Sequence, residues 1–150
     1  MDVLCYSIVG SATVFASKID KRLSQGTETL LAVLRGNKEP LPPILYFCSP
    51  SGCLLTGDTL SDNHTTSTVC IWKLYSDLTT KLDINPPWMM HPVKILKCGL
   101  GSILSITYLP KSQLIVTSGK DSIIRFWDPL GQQVKSAKPK LTRIKPGYYK

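Results

Sequence analysis

Three short β-type runs, separated by tight turn signals, fill the stretch from Ser102 to Asp128. In Ser102–Tyr108, hydroxyl residues alternate with apolar ones, and this period of two is typical of a strand with one buried face. Pro110 and Gly119 interrupt the runs, because proline cannot donate a ladder hydrogen bond and glycine permits positive φ. The stretch therefore predicts consecutive antiparallel strands and argues against a helical fold.

A fourth, weakly apolar strand is predicted from Gln132 to Ala137, after a Pro-Leu-Gly turn. Four antiparallel strands within roughly 40 residues have the size of one blade of a β-propeller.

The stretch closes on Trp127-Asp128, and Asp121 lies six positions before the tryptophan. In this spacing and in its strand order it resembles a WD40 repeat. The resemblance implies a hydrogen-bonded cluster that Thr117 or Ser118 completes. The physical reason is that a buried indole N–H needs an acceptor and a buried carboxylate needs donors.

The family also places a Gly-His pair before the first strand of the blade, where this chain has Gly99-Leu100. We therefore expect the cluster to lack its imidazole. The residues predicted to form it are Thr117, Ser118, Asp121, Trp127 and Asp128.

A second, degenerate blade is predicted before this one. Its strands are expected at Pro43–Cys48, Cys53–Gly57, Thr68–Leu74 and Val93–Cys98. Lys73 replaces the Asp of the Trp-Asp pair, and Thr66 stands six positions before Trp72. The polar cluster is therefore expected to be absent from this blade.

The segment Asn85–Pro92 contains three prolines, which argues against a regular strand and predicts an exposed excursion. It holds Trp88, Met89 and Met90 together, and such residues are enriched at the centres of interfaces. We predict an interaction surface here. The alternative is that these three side chains fold back onto the edge of a blade.

Residues 1–40 are expected to hold three strands, at Val3–Val9, Ala12–Ala16 and Thr29–Arg35. They are interpreted as the last three strands of a blade whose first strand lies upstream of Met1. Gly36-Asn37 follows them where the family has Gly-His. A short helix over Glu28–Leu34 is the alternative, since leucine and alanine favour helices.

The predicted fold class is all-β: a partial β-propeller with two four-stranded antiparallel blades plus part of a third. The expected units are residues 1–40, 41–98 and 99–138, with a basic C-terminal tail at 139–150. Rings of the family commonly use seven blades, and an open stack exposes strand edges and blade faces. We therefore expect a truncated or partial propeller chain that needs the rest of a propeller, or another chain, to close.

Composition excludes several classes of protein. Hydrophobic residues make up 43% of the chain, but no stretch approaches the 18 apolar residues of a membrane span, and the N-terminus lacks a signal-peptide pattern. The five cysteines include no CxxC pair and lie in or beside predicted strands, which indicates buried thiols in a reducing, cytoplasmic compartment. No metal or other cofactor is expected, since Cys48, Cys53, His64 and His91 are irregularly spaced.

The formal net charge of +8 is concentrated at the C-terminus. Residues 135–150 contain six lysines and arginines and no acid. A basic segment of this kind can contact RNA, acidic microtubule surfaces or anionic lipids, although it is more often a solvated terminus. The basic side chains singled out are Lys138, Lys140, Arg143 and Lys145.

No catalytic pattern accompanies the two histidines, His64 and His91, and Gly99-Leu100-Gly101 lacks the third glycine of a dinucleotide loop. The chain is therefore not expected to be an enzyme. The resemblance implies a WD-repeat scaffold for protein–protein interaction, similar to large multi-repeat WD proteins, some of which are associated with cilia. The alternative function is binding of RNA or an acidic surface through the basic tail.

Overall fold

In the computed structural model, residues 3–7, 13–19, 28–37, 43–48, 52–60, 62, 64–73 and 88–140 can be described. They form twelve strands. These are β1 (Val3–Ser7), β2 (Val14–Ile19), β3 (Glu28–Leu34), β4 (Ile44–Cys48), β5 (Cys53–Gly57), β6 (Thr66–Trp72), β7 (Trp88–Met90), β8 (Lys94–Leu100), β9 (Ile103–Leu109), β10 (Leu114–Gly119), β11 (Ile124–Trp127) and β12 (Gln133–Ala137). Within these residues no helix is long and apolar enough to cross a membrane.

The strands form three four-stranded sheets. The third sheet is a simple meander in the order β12-β11-β10-β9, as the alternating sequence predicts. Gln113 and Ser122, in the turns on either side of β10, adopt positive φ of 55° and 60°. The second sheet has the order β4-β5-β6-β8, and its ladder is antiparallel throughout.

The first sheet has the order β1-β2-β3-β7, and β7 runs parallel to β3. The residues at 28–34 form a strand, so the helix alternative is wrong. β1, β2 and β3 occupy three adjacent positions of this sheet, and β7 lies beyond β3.

The outer position of the first sheet is filled from a distance by β7, which lies between β6 and β8 in the sequence. The prediction of an exposed excursion without regular structure is wrong for Trp88–Met90, which folds back onto a sheet edge. Backbone hydrogen bonds fix the crossing on both sides, from Arg35 N to Met90 O at 3.3 Å and from Val93 N to Ile71 O at 2.8 Å. This short strand thus ties the second sheet to the first.

The core consists of two layers of side chains between the sheets. One layer joins the first and second sheets and contains Val14, Ala16, Ala32, Leu34, Leu54, Cys70, Trp72 and Met90. The other joins the second and third sheets and contains Leu55, Val69, Ile71, Leu96, Cys98, Ile103, Ile106, Ile115 and Trp127. Because alternate residues of β5 and β6 point to opposite faces, the second sheet contributes to both layers. Each fully buried aliphatic side chain stabilises the fold by about 1.5–3 kcal/mol.

Gly57 allows the second and third sheets to pack closely at this position. A Cβ at this position would lie 2.8 Å from Ile106 Cδ1 and 3.0 Å from Ile103 Cγ2. The described structure is thus an all-β partial propeller, as predicted. The first sheet was expected to have three strands and has four, because β7 from a later part of the chain pairs with β3.

Candidate functional site

The second sheet carries a continuous chain of buried hydrogen bonds on the face toward the first sheet. Trp72 Nε1 donates to Thr56 Oγ1 at 2.9 Å, and the Thr56 hydroxyl donates to Asn37 Oδ1. Asn37 Nδ2 then donates to Asp58 Oδ1 at 3.0 Å and to the Thr56 carbonyl oxygen at 3.2 Å. The network therefore links β6, β5 and the segment that leads from β3 to β4.

Asp58 anchors the far end of this network and is completely buried. Its Oδ2 accepts from the backbone N–H and from the hydroxyl of Thr68, both at 2.7 Å. Burial raises the pKa of the nearby Cys70 thiol to about 12, and the negative charge of Asp58 adds to the effect. A buried carboxylate is tolerated here because each oxygen receives at least one donor.

The expectation that this sheet lacks the polar cluster is wrong. Asp58 stands fourteen positions before Trp72 instead of six, because additional loop residues separate β5 from β6. Asn37 occupies the place of the family's histidine and supplies one donor and one acceptor of its own. The Gly36-Asn37 pair was the available sequence signal for this cluster.

In the third sheet, the indole of Trp127 donates to Thr117 Oγ1 at 2.9 Å. Ser118 does not take part, since the next residue along β10 points to the opposite face. Asp128 lies outside the cluster and accepts from Gln132 N at 2.8 Å in the turn between β11 and β12. Two of the five residues predicted for this cluster, Thr117 and Trp127, are therefore in direct contact.

Asp121 is held apart from the tryptophan. Its Oδ2 lies 2.6 Å from Arg125 Nη2, and its Oδ1 accepts from Ile123 N at 3.1 Å. This ion pair lies against Gly99, where φ is +103° and a Cβ would collide with both charged side chains. Glycine is thus required at this position for backbone conformation and for space.

Cys98 belongs to β8 of the second sheet and lies beside the Thr117 hydroxyl of the third sheet. Its Sγ donates to the Leu96 carbonyl oxygen at 3.6 Å, and burial raises the pKa of the thiol to about 11. The polar groups of the third sheet therefore fall into two parts, the Trp127–Thr117 hydrogen bond and the Asp121–Arg125 ion pair. The sequence did not reveal the roles of Cys98 and Arg125.

The first sheet buries a single described hydroxyl side chain, that of Ser17. Ser17 is paired with Leu4 of β1 and Leu30 of β3, next to a bulge in the β2–β3 ladder. Phe15, which lies on the same face of β2 as Ser17, is paired with Val33. Ser17 is fully buried, and its Oγ has no hydrogen-bond partner among the described groups.

These polar groups stabilise the stacking of the sheets. The carboxylates are bound by backbone or side-chain donors of their own or the adjoining sheet, and the indoles are buried. Among the residues that the structure describes, no group of three or more His, Cys, Asp or Glu side chains is arranged to hold a metal ion.

Comparison with known proteins places this arrangement in a known fold. No family model matches the sequence, and a search of curated proteins found no match. Among solved structures, the chain is similar to the C-terminal WD40 domain of Sif2, with a TM-score of 0.64 and 14% sequence identity. The fold is that of a WD40 β-propeller. The match covers 93% of this chain and 34% of that one, so this chain spans about a third of the length of the structure it matches.

A pocket of about 100 Å³ lies between the second and third blades, at the end that carries the β4–β5 and β9–β10 turns. Its wall is mostly apolar. The lining residues are Cys48, Cys53, Leu55, Ile71, Tyr108, Ile115 and Pro129. Cys48 and Cys53 are direct cross-strand partners. The pocket is smaller than the sites that hold drug-sized ligands.

The third blade presents an apolar face on the side away from the second blade. Cross-strand partners lie on the same face of a sheet. Leu109 is paired with Leu114, and Val116 is paired with Phe126 on the same face as Ile124. Leu109 is 39% exposed and the other four are partly buried. We call these five residues the downstream face. The corresponding positions of the second blade, Leu55, Val69 and Ile71, are buried against the third blade.

The first blade presents an apolar face on its opposite side, which we call the upstream face. It consists of Tyr6, Phe15, Val33 and Met89, which are cross-strand neighbours. The rings of Tyr6 and Phe15 stack with centroids 5.6 Å apart, and Met89 is 49% exposed. Sequence reasoning missed both faces, except for Met89, because it did not establish how the blades stack.

The predicted interaction residues are separated by the fold. Met90 is 4% exposed and packs in the first core layer, so it does not belong to a surface. Lys138 and Lys140 are exposed just after β12. Arg143, Lys145 and the side chain of Trp88 lie outside what the structure describes.

Proposed function

We propose that this chain is a scaffold that binds other proteins through the apolar faces of its terminal blades. The observation that supports the proposal is the contrast between the outer faces and the same positions inside the stack. Val116, Ile124 and Phe126 of the downstream face are partly exposed, whereas Leu55, Val69 and Ile71 are buried. Apolar surface that a blade normally buries favours association with a protein partner.

The polar chemistry of the described residues supports a structural role. Asp58, Trp72, Thr117 and Trp127 are committed to hydrogen bonds inside or between the blades. A group held in this way is not available to a substrate, and a fold by itself does not define a function. We therefore base the proposed binding on the terminal faces and not on the polar clusters.

The test is affinity purification of the tagged chain from a cell extract. Four forms are compared: the wild type, Val116→Glu on the downstream face, Ser112→Glu in the exposed β9–β10 turn, and a chain that ends at residue 140. We expect the wild type, Ser112→Glu and the shortened chain to retain the same bound proteins. Val116→Glu should not retain them. Retention that is equal for Val116→Glu and Ser112→Glu contradicts the proposal.

The alternative function, binding of RNA or an acidic surface through the basic tail, is tested by the same set. It predicts that retention is lost when residues 141–150 are removed, and that nuclease treatment or high salt releases the bound material. The lysines on β8 and after β12 have a simpler role, since lysine at the outer strand of a sheet discourages pairing with other chains.

We further propose a cytoplasmic location, with association to cilia or the cytoskeleton as the more specific form. All five cysteines carry thiols, which suits a reducing compartment. Imaging of the tagged chain tests both statements, and a purely secreted or organellar signal contradicts them.

A further inference from the structure

We propose that the chain associates with a second copy of itself, head to tail, by placing the downstream face of one copy on the upstream face of the other. This rests on the proposed function, since it makes a second copy the first partner of the terminal blades. The argument comes from the two contacts between blades that the chain already contains.

Both internal contacts are of one kind. The face of the second blade that carries Trp72 and Thr56 packs against a face of the preceding blade that holds only apolar side chains, which we call the plain face. Trp127 and Thr117 pack in the same way against the second blade. Contacts between two faces of the same kind do not occur among the described residues.

The two terminal faces are one of each kind. The upstream face holds Val33 and Phe15 on the side of the first blade that points away from the following blade, as Trp72 does in the second blade. The downstream face is the plain kind, with Val116 and Phe126 in the places of Leu55 and Ile71. A second copy placed head to tail therefore repeats the kind of contact that occurs twice within one chain. Contact between two faces of the same kind would not repeat it.

The size of a blade face limits the strength of this association. Four strands about 4.8 Å apart and five residues long give a footprint of roughly 300 Å². A standard stable interface buries about 800 Å² on each partner. We therefore expect reversible, concentration-dependent assembly. A heterologous contact of this kind closes into a ring when its rotation permits, and otherwise forms an open chain.

The test is sedimentation velocity of the purified full chain over a hundredfold range of concentration. The wild type and Ser112→Glu should show a rise in mass with concentration. Val116→Glu and Phe15→Glu should each be monomeric alone, because each preparation lacks one of the two faces. Circular dichroism and the cooperativity of thermal unfolding verify that each variant is folded.

A mixture of the two variants distinguishes head-to-tail contact from every other arrangement. One variant retains an intact downstream face and the other an intact upstream face, so the mixture should form a one-to-one dimer and stop there. Val116→Thr keeps the strand propensity and the shape of valine, and it should weaken assembly about tenfold without affecting folding.

Three results would overturn the proposal: a monomeric wild type at the highest concentration, dimers of either Glu variant alone, or no dimer in the mixture. A monomeric chain whose protein partners are nevertheless lost with Val116→Glu would refute the self-association and leave the scaffold function standing.

Discussion

The second and third blades show two solutions to the same problem, which is how to bury a tryptophan N–H between sheets. The second blade connects Trp72, Thr56, Asn37 and Asp58 in one unbroken series of hydrogen bonds. The third blade separates its groups, so that Trp127 reaches Thr117 while the carboxylate forms an ion pair with Arg125.

The sequence ranks these blades in the opposite order. The third blade has the Trp-Asp pair and the regular spacing, yet its carboxylate does not join the tryptophan. The second blade lacks both features, yet it holds the more complete network. A cluster of this kind depends on donors and acceptors that meet in space, and an asparagine from a preceding linker serves as well as a histidine.

The largest expected difference between the blades concerns their carboxylates. Asp58→Ala leaves the buried Thr68 N–H and hydroxyl without their acceptor and removes one of the two acceptors of Asn37 Nδ2, so we expect a loss of about 3–4 kcal/mol in the free energy of unfolding. Asp121→Ala should cost only about 1 kcal/mol, because the Asp121 side chain is 15% exposed and its partner can turn to water. Urea denaturation followed by circular dichroism measures both, and equal losses would contradict the comparison.

The next expected effect is a loss of stability at alkaline pH. Burial raises the pKa of Cys70 to about 12 and that of Cys98 to about 11, from an ordinary value near 9.0. The folded state keeps these protons while the unfolded state releases them. Stability from these thiols is therefore complete below about pH 9 and is lost as the pH rises toward 11 and 12. For each variant, the free energy of unfolding is measured as a function of pH and expressed relative to its own value at pH 7. The loss with rising pH should be smaller in Cys70→Ala and in Cys98→Ala than in the wild type. An unchanged slope in both would refute the prediction.

A smaller effect is expected for the coupling between each tryptophan and its threonine. Double-mutant cycles combine Trp72→Phe with Thr56→Val, and Trp127→Phe with Thr117→Val. We expect a coupling energy of about 1.5 kcal/mol in the second blade and about 0.5–1 kcal/mol in the third, since the longer network polarises its own bonds. A larger coupling in the third blade would reverse this interpretation.

The smallest expected effect concerns the first blade. Ser17→Ala removes a buried hydroxyl without a described partner, so stability should change by less than about 0.5 kcal/mol or increase. The matched change, Thr117→Val, removes the acceptor of an indole and should cost about 1–2 kcal/mol. A large loss for Ser17→Ala would show that its hydroxyl is satisfied after all, and would contradict the prediction.

Most individual strands could be predicted from local signals. Alternation, β-branched residues and the turns at Pro110 and Gly119 indicate the third blade, and its register follows from burying one face. The same signals locate β4, β5 and β6. The place of β7 could not be predicted, because its pairing with β3 joins residues far apart in the chain and three residues are too few to show a period.

The sequence by itself determined an all-β chain, the approximate positions of its strands and a contact in the third blade between the tryptophan and a hydroxyl, that of Thr117 or Ser118. These depend on neighbouring residues, since strand alternation and turn chemistry are local. Only the tertiary structure decided that Asn37 and Asp58 complete the cluster of the second blade, that Met90 is core, and that Phe15 and Val116 lie on opposite terminal faces. Those outcomes depend on which sheets stack and which distant strand fills an edge, and packing between sheets is a property of the assembled chain.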